Sequence, residues 1–208
     1  MNKHCVHELP KEYREALSID LQKDTKQALL VNGLAIAIAA VMLVVGFLLM
    51  PAFRIGADLL ALVAFLACSV AYMVLHELVH GACMKLFGAK RVRFGFTGLY
   101  AFAGSEEYFK KGAYIVVALA PLVVLGAVLL ALNIAAGAQY FWFVYLLQLI
   151  NVSGAAGDLY VSFRFLRMPK DILVRDTGVS MTVFASNLSL IKNGPAPSNC
   201  NRGGRFFK

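Results

Sequence analysis

Long apolar segments alternate with short polar connections along this chain. Four of the apolar segments reach the length of about 20 residues that a helix needs to cross a hydrocarbon core. These segments are Ala28 to Met50, Leu59 to Leu86, Ala113 to Leu132 and Tyr140 to Phe163. The pattern predicts an all-α integral membrane protein with about four transmembrane helices.

The connection between the second and third apolar segments has a different pattern. Residues 91–96 alternate, Thr97 and Gly98 are typical of a turn, and residues 99–102 continue as an extended segment. A period of two on both sides of a glycine turn predicts a short β-hairpin. This hairpin is either a simple connector or an exposed strand edge that pairs with an extended substrate.

The polar leader, residues 1–27, precedes the first apolar segment. Its residues Tyr13, Leu17 and Leu21 recur every four positions. Since this spacing places them on one face of a helix, the leader is predicted to form a short amphipathic helix that docks on the protein or on lipid.

The remaining chain divides into a membrane core, residues 28–167, and a tail, residues 168–208. Within the tail, residues 172–184 have a pattern typical of strands, which predicts a small cytoplasmic tail structure. Residues 193–208 are rich in Gly, Asn, Pro and Arg and contain few of the apolar residues that a core needs. We expect this end to be disordered.

Composition and charge support the membrane assignment and orient the chain. Apolar residues make up 60% of the sequence and charged residues 15%, against about a quarter charged in soluble domains. Lys and Arg cluster in the leader, the middle connection and the tail, which predicts a multi-pass protein of the cell membrane with both termini cytoplasmic. The net charge of +8 is therefore explained by topology, with the lipid bilayer as partner and no nucleic acid.

The second apolar segment contains His76, Glu77 and His80 in a His-Glu-x-x-His pattern. A charged group at the centre of a membrane helix costs about 2.5 to 3.5 kcal/mol on insertion scales, so such residues call for a partner. Two histidines four residues apart lie on one helix face and can share one Zn²⁺, while the adjacent glutamate can act as general base. The motif therefore predicts a zinc site with catalytic Glu77.

A third metal ligand is predicted in the fourth segment, where Asp158 is the single acidic residue. The His-Glu motif lies about seven residues before Lys85 and Asp158 lies six before Arg164, so at about 1.5 Å per residue both are about 10 Å from the cytoplasmic edge. Two nitrogens and one oxygen leave the fourth zinc position open, as in catalytic sites. The alternative is that Asp158 is a polar lock between helices.

Asn151 is the second candidate catalytic residue. It precedes Asp158 by seven residues, which is two helical turns, and so lies on nearly the same face. Its amide is predicted to bind a ligand side chain, the substrate carbonyl or a transition-state oxyanion. A hydrogen bond that simply joins two helices is the alternative.

Together these motifs resemble a known family. His76 to His80, the Ala-Leu-Ala-Pro segment 118–121 and the segment from Asn151 to Asp158 are similar to the zincin peptidases catalogued as domain of unknown function 3267, which in turn resemble site-2 intramembrane proteases. The resemblance implies zinc held by His76, His80 and Asp158, and it covers roughly residues 59–184. It also implies a strand-forming loop between the second and third spans.

The sequence thus predicts a zinc metallopeptidase that hydrolyses peptide bonds of membrane-protein or peptide substrates near the cytoplasmic side of the bilayer. A second hypothesis is a non-catalytic membrane protein that uses the same ligands for metal binding, sensing or transport. A transporter is expected to line its path with polar residues, and the first and third segments contain few of them. A third hypothesis is a degenerate peptidase that binds membrane segments, against which the intact Glu77 argues.

Overall fold

Five helices form the larger part of the described residues. The computed structural model describes residues 4–20, 23–49, 59–98 and 100–186. The helices are α1 (Thr25–Leu49), α2 (Leu59–Leu86), α3 (Lys111–Ala135), α4 (Phe141–Gly154) and α5 (Ala156–Leu166). Within these ranges α1, α2 and α3 are long and apolar enough to cross a membrane, which indicates a membrane protein.

The predicted fourth span is a pair of shorter helices rather than one continuous helix. Only Ala155 separates α4 from α5, and neither helix alone has the length of about 20 residues that a span requires. Gly154 and Gly157 flank the break, and glycine costs about 1 kcal/mol in a helix interior relative to alanine. The break brings α5 against α1 and α3.

In the part of the chain that the structure describes, two β-sheets accompany the helices, so the protein is not purely all-α as the hydrophobic pattern predicted. The larger sheet has five antiparallel strands in the order β1, β5, β6, β7, β2. The strands are β1 (Cys5–Val6), β2 (Arg14–Ile19), β5 (Tyr108–Lys110), β6 (Leu173–Asp176) and β7 (Met181–Ala185). The leader, the middle connection and the tail therefore meet at one end of the helices.

The amphipathic helix predicted for the leader was wrong. Residues 14–19 form strand β2, in which Leu17 and Ile19 are buried at a period of two. Strand β2 pairs with β7 from Arg14 opposite Ala185 to Ile19 opposite Met181. Leu21, the third residue of the predicted apolar face, lies outside the described residues, as does the tail after residue 186.

The smaller sheet is the predicted hairpin. Strands β3 (Arg93–Phe96) and β4 (Ala101–Gly104) pair antiparallel, and Gly98 adopts a positive φ of 91° in the turn between them. The hairpin packs mainly on α2 through β4. The strands predicted for residues 172–184 are also present, as β6 (Leu173–Asp176) and β7 (Met181–Ala185).

The core of the protein joins the inner face of the five-stranded sheet to the ends of α2, α3 and α5. Phe109, Val174 and Val183 from the sheet and Phe165 from α5 are completely buried, and all belong to one apolar cluster with Met84 of α2. Burial of each such side chain stabilises the fold by about 1.5–3 kcal/mol. This packing fixes the sheet against the part of α2 that carries the His-Glu motif.

Candidate metal centre

Helix α2 positions His76 and His80 one turn apart on the same face. Their ring centroids lie 4.8 Å apart, and the two Nε2 atoms are separated by 3.2 Å. Each side chain is only 12% exposed. The interval of four residues therefore places the two imidazole nitrogens where one cation can contact both.

Asp158, in the first turn of α5, completes the cluster. Its Oδ2 atom lies 3.5 Å from Nε2 of His76 and 3.7 Å from Nε2 of His80. Zinc bonds of about 2.0–2.1 Å at tetrahedral angles separate neighbouring ligand atoms by about 3.3 Å. The three donor atoms thus have the spacing of three corners of a zinc tetrahedron.

The hydrogen bond at the far side of His80 fixes which ring nitrogen is protonated. Nδ1 of His80 lies 2.9 Å from the carbonyl oxygen of Val117 in α3. Because a carbonyl oxygen only accepts hydrogen bonds, Nδ1 must donate the proton. Nε2 of the neutral ring therefore presents its lone pair toward His76 and Asp158.

His76 is held in the same way through two further side chains. The amide of Asn151 donates from Nδ2 to the carbonyl of Leu122, which directs its Oδ1 toward the hydroxyl of Tyr72. Tyr72 donates to that oxygen, so the hydroxyl accepts from Nδ1 of His76 at 3.0 Å. Both Nε2 atoms consequently face each other without a proton, an arrangement that a cation stabilises and that fits zinc.

Glu77 lies beside the three donor atoms and outside their cluster. Its carboxylate lines the same cavity as Ala103 of β4. The cavity has a volume of about 300 Å³ and is lined by the motif, by β4 and by the turn between β6 and β7. A carboxylate in this position can accept a proton from a water molecule within the cavity.

A protein-family model described as putative zincin peptidase, domain of unknown function 3267, matches residues 69–173, half of the chain. The match contains the His-Glu motif and Asp158. The chain belongs to this family. Zinc is accordingly the cofactor of this zincin. No curated protein and no solved structure matches the chain significantly.

The position of Asn151 in the zincin does not suit the predicted oxyanion role. Its side chain is 0% exposed and lies behind His76, where its amide contacts Tyr72 and Leu122 and not the cavity. The interval of seven residues was counted along one continuous helix, whereas Asn151 lies in α4 and Asp158 in α5, on opposite sides of the break at Ala155. Asn151 therefore reaches the metal centre only through Tyr72.

Three polar residues around the centre were given no role from the sequence. Tyr72 precedes His76 by four residues, a helical interval that is itself a usable signal. Tyr114 of α3 donates a hydrogen bond to the Asp176 carboxylate, which also accepts from the backbone N–H of Gly178 at 2.8 Å. Tyr114 and Asp176 are 62 residues apart, so no local pattern joins them.

Asp176 lies in the wall of the cavity, at the end of β6. Burial raises the pKa of this carboxyl above its usual range, and the hydrogen bonds from Tyr114 and Gly178 only partly oppose that shift. The backbone carbonyl of Asp176 also accepts from the N–H of Ser105, at 2.6 Å, next to the end of β4. Asp176 thus ties the five-stranded sheet to the hairpin of the zincin.

Proposed function

We propose that this zincin hydrolyses peptide bonds of membrane or membrane-associated substrates near the cytoplasmic side of the bilayer. The family supports a metallopeptidase. The observation that carries the proposal is the convergence of His76, His80 and Asp158 beside the carboxylate of Glu77, in one cavity. This cavity lies where the membrane-length helix α2 meets the polar sheet, which supports substrates at the membrane edge.

In this mechanism, His76, His80 and Asp158 would hold the zinc. When bound, zinc supplies a Lewis acid that polarises a peptide carbonyl and acidifies water. Glu77 accepts the proton of the attacking water and passes it to the leaving amine, since it lies outside the ligand set. The buried sides of both histidines donate to fixed acceptors, so the ligands are already oriented before substrate enters.

The location in the cell is part of the proposal. We infer a multi-pass protein of the cell membrane with both termini in the cytoplasm. The uneven distribution of Lys and Arg supports this orientation. Strands β2, β5 and β7 come from the leader, the middle connection and the tail, and they lie in one sheet. This arrangement supports a common side of the membrane for the three segments.

Removal of the metal tests the proposed hydrolysis directly. The parent protein in liposomes is expected to cut a mixture of synthetic single-span peptides, with the products identified by mass spectrometry. Dialysis against a chelator should abolish cleavage, and about one equivalent of zinc should restore it. Cleavage that persists after complete zinc removal would contradict the proposal, and binding of zinc without any cleavage would favour a metal-binding or transport protein.

Strand β4 supports a specific way of binding the peptide. A helical peptide bond is closed to attack, so the substrate must become extended. Phe102 and Gly104 lie opposite Gly95 and Arg93, and N–H groups alternate between the two edges of a strand. The N–H of Thr97 donates to the carbonyl of Tyr100, so in this register the N–H groups of Ala101 and Ala103 point to the outer edge, beside the cavity. We propose that the substrate pairs with this edge.

Ala101→Pro is expected to weaken substrate pairing while leaving the hairpin intact. Proline removes the N–H at the outer edge, whereas the bonds to β3 come from neighbouring residues. One hydrogen bond contributes about 0.5–1.5 kcal/mol, so kcat/KM should fall about three- to tenfold with zinc content unchanged. Ala101→Val keeps the N–H at similar size and should cleave more nearly like the parent. Equal loss in both variants would argue against strand pairing.

A further inference from the structure

We infer that Pro121 and Tyr72 are positioning residues of the metal centre. Tyr72 provides the hydrogen-bond acceptor for His76, and Pro121 leaves a backbone carbonyl free to accept from His80. These two acceptors hold both histidines in the tautomer that can bind zinc. The inference rests on the zinc site proposed above. It concerns residues outside the ligand set and the general base. Two separate chains of contacts carry it, one for each histidine.

The first chain begins with the proline inside α3. In an α-helix the N–H of each residue donates to the carbonyl four positions earlier, so Pro121, which has no N–H, leaves the carbonyl of Val117 without its helical donor. This carbonyl is the one that accepts Nδ1–H of His80 at 2.9 Å. Pro121 therefore frees the carbonyl of Val117 at the position where the metal ligand His80 needs a hydrogen-bond acceptor.

Burial makes this acceptor important. Val117 is only 1% exposed and Pro121 is completely buried, so the carbonyl lies in the protein interior. A buried polar group without a partner costs about 1–3 kcal/mol. His80 therefore satisfies the carbonyl left by Pro121, and the carbonyl in turn prevents the ring from turning its protonated nitrogen toward the metal position.

The second chain holds His76. Tyr72 lies one turn before His76 on α2 and accepts from its Nδ1, and the direction of that bond is set by Asn151, whose amide oxygen takes the tyrosine proton. Asn151 is in turn oriented by the carbonyl of Leu122 at 3.3 Å. A Cβ at Gly126 would lie 3.0 Å from Nδ2 of Asn151, so the glycine permits this close approach.

Both chains end on carbonyls of α3, at Val117 and Leu122, on the two sides of Pro121. Helix α3 is therefore the element that fixes the tautomers of two ligands carried by α2. Removal of such outer hydrogen bonds typically weakens metal affinity by about 10- to 100-fold. The same loss is expected here for either chain.

Tyr72→Phe tests the second chain. Zinc affinity of the purified full-length protein is measured by competition with a chelator, and we expect a loss of about tenfold or more. Tyr145→Phe is the matched control, because Tyr145 donates to the carbonyl of Met42 between α4 and α1, far from the ligands. The control should bind zinc as the parent does.

Pro121→Ala and Pro121→Val test the first chain. Both variants restore the N–H that competes for the carbonyl of Val117, but they differ in side-chain volume. We expect both to weaken zinc binding by about tenfold while the helix itself becomes no less stable, because an N–H in a helix interior is favourable. A loss confined to Pro121→Ala would identify a packing cavity as the cause and would overturn the inference for this residue.

Nitrogen-15 NMR of the zinc-free protein supplies a readout that a purely structural role would not move. The chain has four histidines, and the resonances of protonated and unprotonated ring nitrogens are well separated. Tyr72→Phe should lower the Nδ1–H population of His76 alone, and both Pro121 variants that of His80 alone. A parent protein that binds no zinc would refute the proposed function, whereas tight zinc binding by all these variants would refute the inference only.

Discussion

Glu77→Gln is expected to retain zinc and to lose at least about 100-fold in the rate of peptide hydrolysis. Glu77 lies outside the cluster of donor atoms, so replacing its carboxylate with an amide of similar shape leaves the metal ligands in place. The amide cannot accept the proton of the attacking water. Cleavage of single-span peptides in liposomes and zinc content per chain are measured on the same preparation.

Glu106→Gln is the matched control for this prediction. Glu106 forms an exposed ion pair with Arg93 at the end of the hairpin, at 3.7 Å, and contributes nothing to the cavity lining. Its substitution should leave both cleavage and zinc content at the parent level. If Glu77→Gln cleaves at the parent rate with full metal, the hydrolase mechanism is wrong and non-catalytic metal binding becomes the better account.

The double variant His76→Ala, His80→Ala is expected to lose its stoichiometric zinc entirely. One remaining carboxylate does not hold zinc tightly, whereas the parent should carry about one zinc per chain. Asp158→Asn should weaken zinc binding and activity together, since a neutral amide is a poor substitute for an anionic ligand. Elemental analysis after gel filtration measures all three proteins.

Asp171→Asn is the matched control for Asp158→Asn, because it also replaces one carboxylate with an amide. The Asp171 carboxylate accepts a hydrogen bond from Ser186 at 2.8 Å, in the exposed part of the tail, and should not affect zinc. Stoichiometric zinc in the double histidine variant would instead require a different set of ligands. That result would contradict the assignment of His76, His80 and Asp158.

The convergence of the metal-site side chains could be predicted because it depends on regular helix geometry. The interval between His76 and His80 is local, and the rise per residue gave Asp158 the same depth although it lies on another helix. The structure brings these three side chains together. That they bind zinc stays a prediction that the variants above test.

The outer hydrogen bonds could not be predicted in the same way. The sequence shows that Pro121 removes a backbone donor, but only the packing of α3 on α2 reveals which side chain takes the released carbonyl. The interval of seven residues was counted along one continuous helix, but the helix breaks at Ala155, so Asn151 and Asp158 lie on different helices. Asn151 binds Tyr72, one turn before His76, and does not bind a metal ligand directly.

The five-stranded sheet shows a second limit of prediction from sequence. The leader has an apolar interval of four residues, typical of a helix, but Arg14–Ile19 pairs with Met181–Ala185 at the other end of the chain. Such distant pairing decides between helix and strand through tertiary contacts rather than intrinsic propensity. The hairpin of β3 and β4 was predictable because its turn and both its strands are adjacent in sequence.

That pairing sets the order in which the protein can be completed during synthesis. Strand β2 is made before all five helices, and its partner β7 only after them. Ile19 and Met181, which face each other in this pair, both line the cavity. The wall they form therefore cannot close until β7 has left the ribosome, so the cavity around Glu77 is assembled late, after the helices that carry the histidines and Asp158.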